Sequence, residues 1–433
     1  MEQFSTTRQM GNHPSRTDTE PALAGLTNRL REMQQTRLAL MFLDRFDRFH
    51  LKDITTDRLT GPRVAVMDGH EVINFGSDSF LGLDRHPALH RSIREALATW
   101  GTHNGASRAF TSVALYEEAE SRLARWLGVE ATLIYPSVTM ANAALLSAVA
   151  ESGDLLVVDR ESHDSIHEGA RLAEARGARV EKLHHCHAAE LRRLLQRTKM
   201  EGGLVVAIDG TYSMTGDVPP LAELLEVVEE FGGTLYVDDA HGTGVIGPGG
   251  RGAAFAALGR LDEILMVGSL SKAFSCLGGF VTCTRELQRI LKIRSHNFIF
   301  SGPVPAPYLA AICAVCDIIE SPEHEMLRRR LQELTERLVA GVKRLGFAVQ
   351  GGIGPIVSVV IGDIERTLRA GRALFDAGFY VQSATFPAVP ITSGLLRILV
   401  NAIHTEEQID GLLAALAALR DTMESDGYIF PSP

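Results

Sequence analysis

"GLVVAIDGTYSMTGDVPPLAELLEVVEEFGGTLYVDD", residues 203–239, decides the fold. An apolar run of strand length, "GLVVAID", leads through a polar turn into "PLAELLEVVEEFG". That segment has helical periodicity, with proline near its start and glycine at its end. A second apolar run, "TLYVDD", closes the stretch. The same rhythm extends outward, through "ATLIYP", "DLLVVD" and "ARVEKLH" on one side and "EILMVGS" and "GFVTC" on the other. Alternating strands and helices predict an α/β protein with a large, doubly wound, mainly parallel sheet covered on both faces. Ligands in such sheets sit at the carboxyl ends of the strands.

Around this centre, "RVAVMDGHEVINFGS" reads as two short strands turning at Asp68-Gly69. Residues 1–20 are polar and expected to be disordered, and Pro21 to Lys52 follow an amphipathic helical pattern. Three prolines in "FIFSGPVPAPY" precede a long helical stretch, 307–345, and the tail holds strands ("IVSVVIGD", "LLRILVN") and two helices. The expected division is residues 1–60 as tail and N-terminal helical arm, 61–305 as the large α/β domain, and 306–433 as a smaller α+β domain.

Composition excludes several classes of function. A net charge of −10 over 433 residues argues against general nucleic-acid binding, which needs a basic face. No apolar run has the length of an integral membrane segment, and no hydrophobic signal opens the chain. Five irregularly spaced cysteines make no disulfide framework, so a cytoplasmic location is expected. Cys313 and Cys316 lie in an apolar helical segment and read as core residues. "HHCH" at 184–187 has metal-ligand vocabulary but no second cluster at zinc spacing, so it reads as a surface turn and no metal is expected.

The polar residues at strand ends carry the chemistry. "TLYVDDAHGTGVIG", 234–247, ends a buried strand in two carboxylates, and alternation points one of them into the crevice. Asp238 and His241 flank a turn there, although turn capping explains Asp238 as well. His163 follows the strand end in "VVDRESHDSIHEGARLA", and Ser213 follows another in "IDGTYSMTGD". Lys272, in "GSLSKAFSCLGG", sits where a buried strand emerges into a turn. One polar group at each of several strand ends is what a small-molecule site requires.

Eight stretches in order make the reading specific: "INFGSDSFLGLDRHP", "GASRAFTSVALYEEAESRLARWLG", "DRESHDSIHEGA", "DGTYSMTGDVPPLAEL", "VDDAHGTGVIGPGGRG", "GSLSKAF", "FIFSGPVP" and "LLRILVNAIHTEEQID". Over roughly residues 35 to 420 the chain resembles the α-oxoamine synthases, pyridoxal 5'-phosphate (PLP) enzymes of the fold type I transferase class. The resemblance implies that Lys272 holds the cofactor as a Schiff base, since a desolvated lysine readily loses its proton. It implies Asp238 at the pyridine nitrogen, His241 and Ser213 at the phenolic oxygen, and His163 over the ring face. Ser269, with the helix beginning near residue 140, would hold the phosphate, and Arg397 the amino acid's carboxylate. The alternative for Arg397 is a strand arginine on a solvated face. The implied reaction condenses an amino acid with an acyl thioester, on coenzyme A or a carrier protein, with loss of carbon dioxide. The implied assembly is a homodimer with shared active sites.

Several positions depart from the family pattern. Val138 and Thr139 replace the glycine and aromatic before the phosphate helix, and Asp78 replaces an asparagine near the substrate carboxylate. A carboxylate at 78 would repel that group unless protonated or paired. Tyr116 stands for a histidine, Gly302 for the threonine lent by the neighbouring subunit, and Ser275-Cys276 for a small glycine-led turn. Two other readings are an aldolase or aminotransferase of the same fold, and a non-catalytic partner subunit. The second normally loses the lysine that this chain keeps.

Overall fold

The computed structural model describes residues 22–428 and 430, so the polar tail at 1–20 lies outside the described residues. The chain separates into two compact units, Met1–His50 and Leu51–Pro433. In the first, α1 (Ala22–Glu32) and α2 (Gln34–Arg45) are separated by Met33, whose backbone is extended. The helical pattern expected through Lys52 thus breaks once and stops at Arg45.

The second unit opens with an antiparallel meander of β1 (Thr56–Gly61), β2 (Val64–Met67) and β3 (His70–Asn74). Asp68 (φ 46°) and Gly69 (φ 77°) form the expected turn in the left-handed conformations that a two-residue hairpin loop requires. β1 is mostly exposed and carries no apolar pattern, which is why the sequence does not announce it.

The central sheet comprises β4 (Ala131–Tyr135), β5 (Leu155–Asp159), β6 (Arg179–Leu183), β7 (Leu204–Asp209), β8 (Thr234–Asp238), β9 (Ile264–Ser269) and β10 (Gly279–Cys283). Their order is β4-β10-β9-β8-β7-β5-β6; β5 to β9 are parallel, and β10 is antiparallel to both of its neighbours. Both faces are covered. Along β5, Leu155 and Val157 enter one apolar core, while Leu156 and Val158 enter another with Ala144 and Ile166.

Four helices matter most here: α3 (Pro87–Trp100), α4 (Leu115–Leu127), α5 (Val138–Val149) and α6 (Asp164–Ala175). α5 and α6 pack so closely that a Cβ on Gly169 would meet the Asn142 carbonyl oxygen at 2.6 Å. Glycine is needed there for backbone approach.

The helical stretch expected at 307–345 is two helices, Ala306–Ile319 and Pro322–Arg344. Ser321 Oγ accepts from the Glu323 amide (3.3 Å), and Pro322 occupies the first turn, where its missing N–H costs nothing. Cys313 and Cys316 are buried in the first of them. Beyond lie β11 (Val349–Gly351), β12 (Ile356–Gly362), β13 (Phe379–Tyr380), β14 (Gln382–Ala384) and β15 (Gly394–Leu399). They form an antiparallel sheet ordered β11-β12-β15-β14, while β13 joins β3 in parallel. Among the described residues no helix is long and apolar enough to cross a membrane.

Candidate active site

β5, β7, β8 and β9 end on Asp159, Asp209, Asp238 and Ser269 at one edge of the sheet. This edge, in a parallel sheet, is where ligands collect. Asp209 and Asp238 are register partners and both are buried. Burial, reinforced by the Asp238 charge, pushes the Asp209 carboxyl well above the usual carboxylate range. The Asp209 oxygens accept from the His163 amide at 3.1 and 3.2 Å.

Asp238 has donors of its own on both oxygens. Its Oδ2 accepts from Asn142 Nδ2 (2.6 Å), and its Oδ1 from the Ala240 amide (3.1 Å). Asn142 is oriented by the Tyr236 hydroxyl, which donates to its Oδ1 (2.6 Å), and by Ser165 Oγ (2.8 Å). Neither Asn142 nor Asp209 is found by the sequence reading. Asp209 had a signal, because it ends "GLVVAID" as Asp238 ends "TLYVD". Asn142 had none. It lies 96 positions from Asp238 and reaches it only because Gly169 lets α5 settle onto α6. Asp239 points to the opposite face, as strand alternation predicts, and accepts from the Ala254 amide (2.9 Å).

Lys272 lies in the turn after β9. Burial pushes its ammonium below the usual lysine range, with Asp238 and then Asp78 opposing. His241, in the turn after β8, is buried, and burial with the Lys272 charge drives it well below its ordinary value, so it is a neutral imidazole. His163 caps α6, with Nδ1 2.7 Å from Ser165 Oγ, and its side chain remains open to solvent. Ser269 Oγ accepts from the Ser271 amide and lies 3.1 Å from Ser271 Oγ. The helix expected near residue 140 begins at Val138 and is capped by Ser137, whose Oγ accepts from the Met140 amide (3.1 Å). Gly279 of β10 packs beneath that end, since its Cβ would meet the Val138 amide at 2.8 Å. Thr139 is exposed at the helix start.

Arg397, on β15, is buried, so it does not lie on a solvated face. Its Nε donates to the Ser213 carbonyl, Nη1 to Gln382 Oε1 (2.6 Å) and Nη2 to Asp78 Oδ1 (3.3 Å). Asp78 is therefore paired. Gln382 is a further site residue, set opposite Arg397 in the register of β14 and β15, that the sequence did not reveal. Tyr116 is a core residue: its hydroxyl donates to the Val304 carbonyl (3.2 Å), and Arg108 lies 3.6 Å over its ring. Gly302 is exposed, and a Cβ there would find only His103 Nε2, at 4.0 Å. Ser275 adopts φ 53°, a left-handed position that suits glycine, and its Oγ is bonded to Ser79 Oγ.

These groups fit PLP. A buried amine biased toward its neutral form, an anchored buried carboxylate, a neutral histidine and hydroxyls beside a helix N-terminus surround one strand edge. Thr211, whose backbone bonds His241, has a buried hydroxyl without a hydrogen-bond partner, as befits a site that accepts a polar guest.

Comparison with known proteins points the same way. Residues 70–416 match the family model for aminotransferase class I and II. The chain is 37% identical to the 8-amino-7-oxononanoate synthase of Geobacter sulfurreducens, over 83% of this chain and 91% of that one. It resembles a solved serine palmitoyltransferase variant from S. paucimobilis with bound PLP and myriocin (TM-score 0.85, 27% identity, 91% and 99% coverage). The Sphingomonas wittichii serine palmitoyltransferase superimposes with a TM-score of 0.84 at 25% identity, covering 90% of this chain and 99% of that one.

Proposed function

Because this chain belongs to the α-oxoamine synthase family, we propose that it condenses an amino acid with an acyl thioester, releasing carbon dioxide and an α-amino ketone. The observation that carries this reading is the convergence of Lys272, Asp238, His241 and Arg397 around one strand edge. All four lie in the buried interior beside that edge, and burial pushes Lys272 and His241 toward their neutral forms.

Bound there, PLP supplies the electron-withdrawing ring that accepts the electron pair left when an amino acid's α-proton departs. The chain's own residues do the rest. Arg397 binds the amino acid's carboxylate, a planar donor held in orientation by the Ser213 carbonyl and Gln382. Lys272 anchors the cofactor and, once freed as an amine, takes the α-proton at Nζ; burial keeps it closer to neutral than a solvated lysine. Asp238, kept in place by Asn142, would hold the cofactor's ring nitrogen protonated. His241 and Ser213 would hold its phenolic oxygen, and His163 would cover the ring. Ser269, Val138 and Thr139 would hold its phosphate, with hydroxyls and helix amides to offer. The attacking carbon forms a bond to the thioester carbonyl, the thiolate leaves, the carboxylate departs as carbon dioxide, and Lys272 Nζ returns its proton to the α-carbon.

The working form in this reading is a cytoplasmic homodimer with shared active sites. Phe110 and Phe300, 88% and 72% exposed, sit on loops tied together by the Ser107 hydroxyl donating to the Ile299 carbonyl. Such neighbouring aromatics suit a second copy.

The test supplies PLP-loaded protein with single amino acids and an acyl thioester, and follows carbon dioxide and free thiol together. Equimolar release of both for one amino acid supports the reading. Amino-group transfer without thiol release places the chain among the aminotransferases instead and overturns it.

A further inference from the structure

On the side of Asp209 away from Asp238 the sheet carries a second polar cluster. Asp159 ends β5 and is fully buried. Its Oδ1 accepts from the Glu161 amide (2.8 Å) and faces His185 Nδ1 at 3.2 Å, and its Oδ2 accepts from the Cys186 amide (2.8 Å). Cys186 Sγ lies 3.5 Å from His185 Nδ1 and 3.4 Å from Nε2. The "HHCH" segment is thus a turn whose middle two residues fold inward against β5, while His184 and His187 stay exposed. Cys186 holds a left-handed backbone (φ 55°), which is costly for a residue other than glycine or asparagine. The edge of Tyr212 packs against His185, with centroids 4.3 Å apart and planes at 86°. Its hydroxyl is buried beside the Asp159 carboxylate and Cys186, and makes no hydrogen bond of good geometry.

We propose that Asp159, His185 and Cys186 form a zinc-binding site, with the Tyr212 hydroxyl as the buried oxygen available to complete it. The spacing supports this. Ligand atoms about 2.0–2.3 Å from a tetrahedral zinc ion lie roughly 3.3–3.6 Å from one another. His185 Nδ1 stands 3.2 Å from the carboxylate oxygen and 3.5 Å from the sulfur. The donor set of one thiolate, one imidazole and one carboxylate selects zinc over magnesium or calcium, which need oxygen ligands. A carboxylate and a thiolate also offset the ion's two charges, so no net charge is buried.

One adjustment accompanies binding. The sulfur is nearly equidistant from both ring nitrogens, so it rests against the ring face; a swing about the Cys186 Cα–Cβ bond brings it beside Nδ1, and its partial exposure permits that. The bound ion pins the turn after β6 to the end of β5, beside the Tyr212-Ser213 segment whose carbonyl orients Arg397.

The probe is cobalt(II), titrated into PLP-loaded protein and followed by its visible d–d bands, with zinc then added as competitor. The proposal expects tetrahedral bands that saturate at a single equivalent and are abolished by zinc, together with a higher melting temperature when zinc is present. Cys186→Asn, which suits the left-handed backbone, and His185→Gln should each lose the bands and weaken zinc binding roughly 100-fold. Absence of tetrahedral bands in the parent protein, or bands that persist unchanged in a folded Cys186→Asn variant, overturns it.

Discussion

Asp209 and Asp238 stand abreast at the ends of adjacent parallel strands, paired in register and both buried. Two carboxylates so close cannot both carry full charge at low cost. Asp238 has the donors, from Asn142 and the Ala240 amide, and Asp209 is the one whose carboxyl is pushed up. The pair is asymmetric: a side chain and a backbone amide donate to Asp238, while burial favours a proton on Asp209. On the proposed roles, Asp238→Asn should cut kcat by about 10²–10³-fold, the size of one electrostatic contact to the reacting system. Asp209→Asn should stay within a few-fold of the parent. Steady-state kinetics on the two variants, side by side, checks the asymmetry; the reverse ranking would reject it.

On the proposed roles, Asp78 competes with the substrate's carboxylate for Arg397. Their contact, 3.3 Å, ties up part of the guanidinium. Asp78→Asn should lower KM for the amino acid by roughly tenfold, about 1.4 kcal/mol, with kcat nearly unchanged. Arg397→Ala should raise KM by more than 100-fold, because it removes the charged partner entirely. An unchanged KM in Asp78→Asn would mean that the acid serves the amino acid's side chain rather than restraining Arg397.

Gly169 is where packing and chemistry meet. A methyl group there would meet the Asn142 carbonyl at 2.6 Å, and backbone cannot rotate away as a side chain can. Gly169→Ala should destabilise the protein by about 1–3 kcal/mol, the cost typical of overpacking. Denaturant unfolding would show a lower midpoint at constant m-value. An unchanged midpoint would show that α5 and α6 can separate freely.

Asp239 links stability to pH. Burial pushes its carboxyl up to about 7, with three backbone amides opposing, and its Oδ1 has no hydrogen-bond partner. In the unfolded chain the group titrates near about 4. Between those values the folded state keeps a proton that the unfolded state has lost. This residue therefore favours folding at the acid end of that window, and its contribution falls as pH rises through about 7. Unfolding free energies of the parent and Asp239→Asn, compared from about pH 5 to about pH 8, should diverge with the parent showing the steeper decline. Parallel curves would show that Asp239 is ionised in both states.

The sequence by itself determined the strand and helix rhythm, because runs such as "GLVVAID" and "TLYVDD" are apolar throughout only when both strand faces are covered. It also determined which residues stand at the strand ends, and so nominated Lys272, Asp238, His241 and His163. One boundary was written there but passed over: Ser321-Pro322, a helix cap and first turn inside what reads as one long helix. What a chain of letters could not supply was distance between separated residues. Asn142 reaches Asp238 across 96 positions and Arg397 reaches Asp78 across 319, and each contact depends on how helices and sheets settle together. Burial was decided at the same level. It decided against the solvated-face alternative for Arg397, turned His185 and Cys186 inward against Asp159, and gave Lys272 and Asp209 their altered proton affinities. Proton affinity depends on the dielectric surroundings and neighbouring charges, and those exist only once the chain has folded.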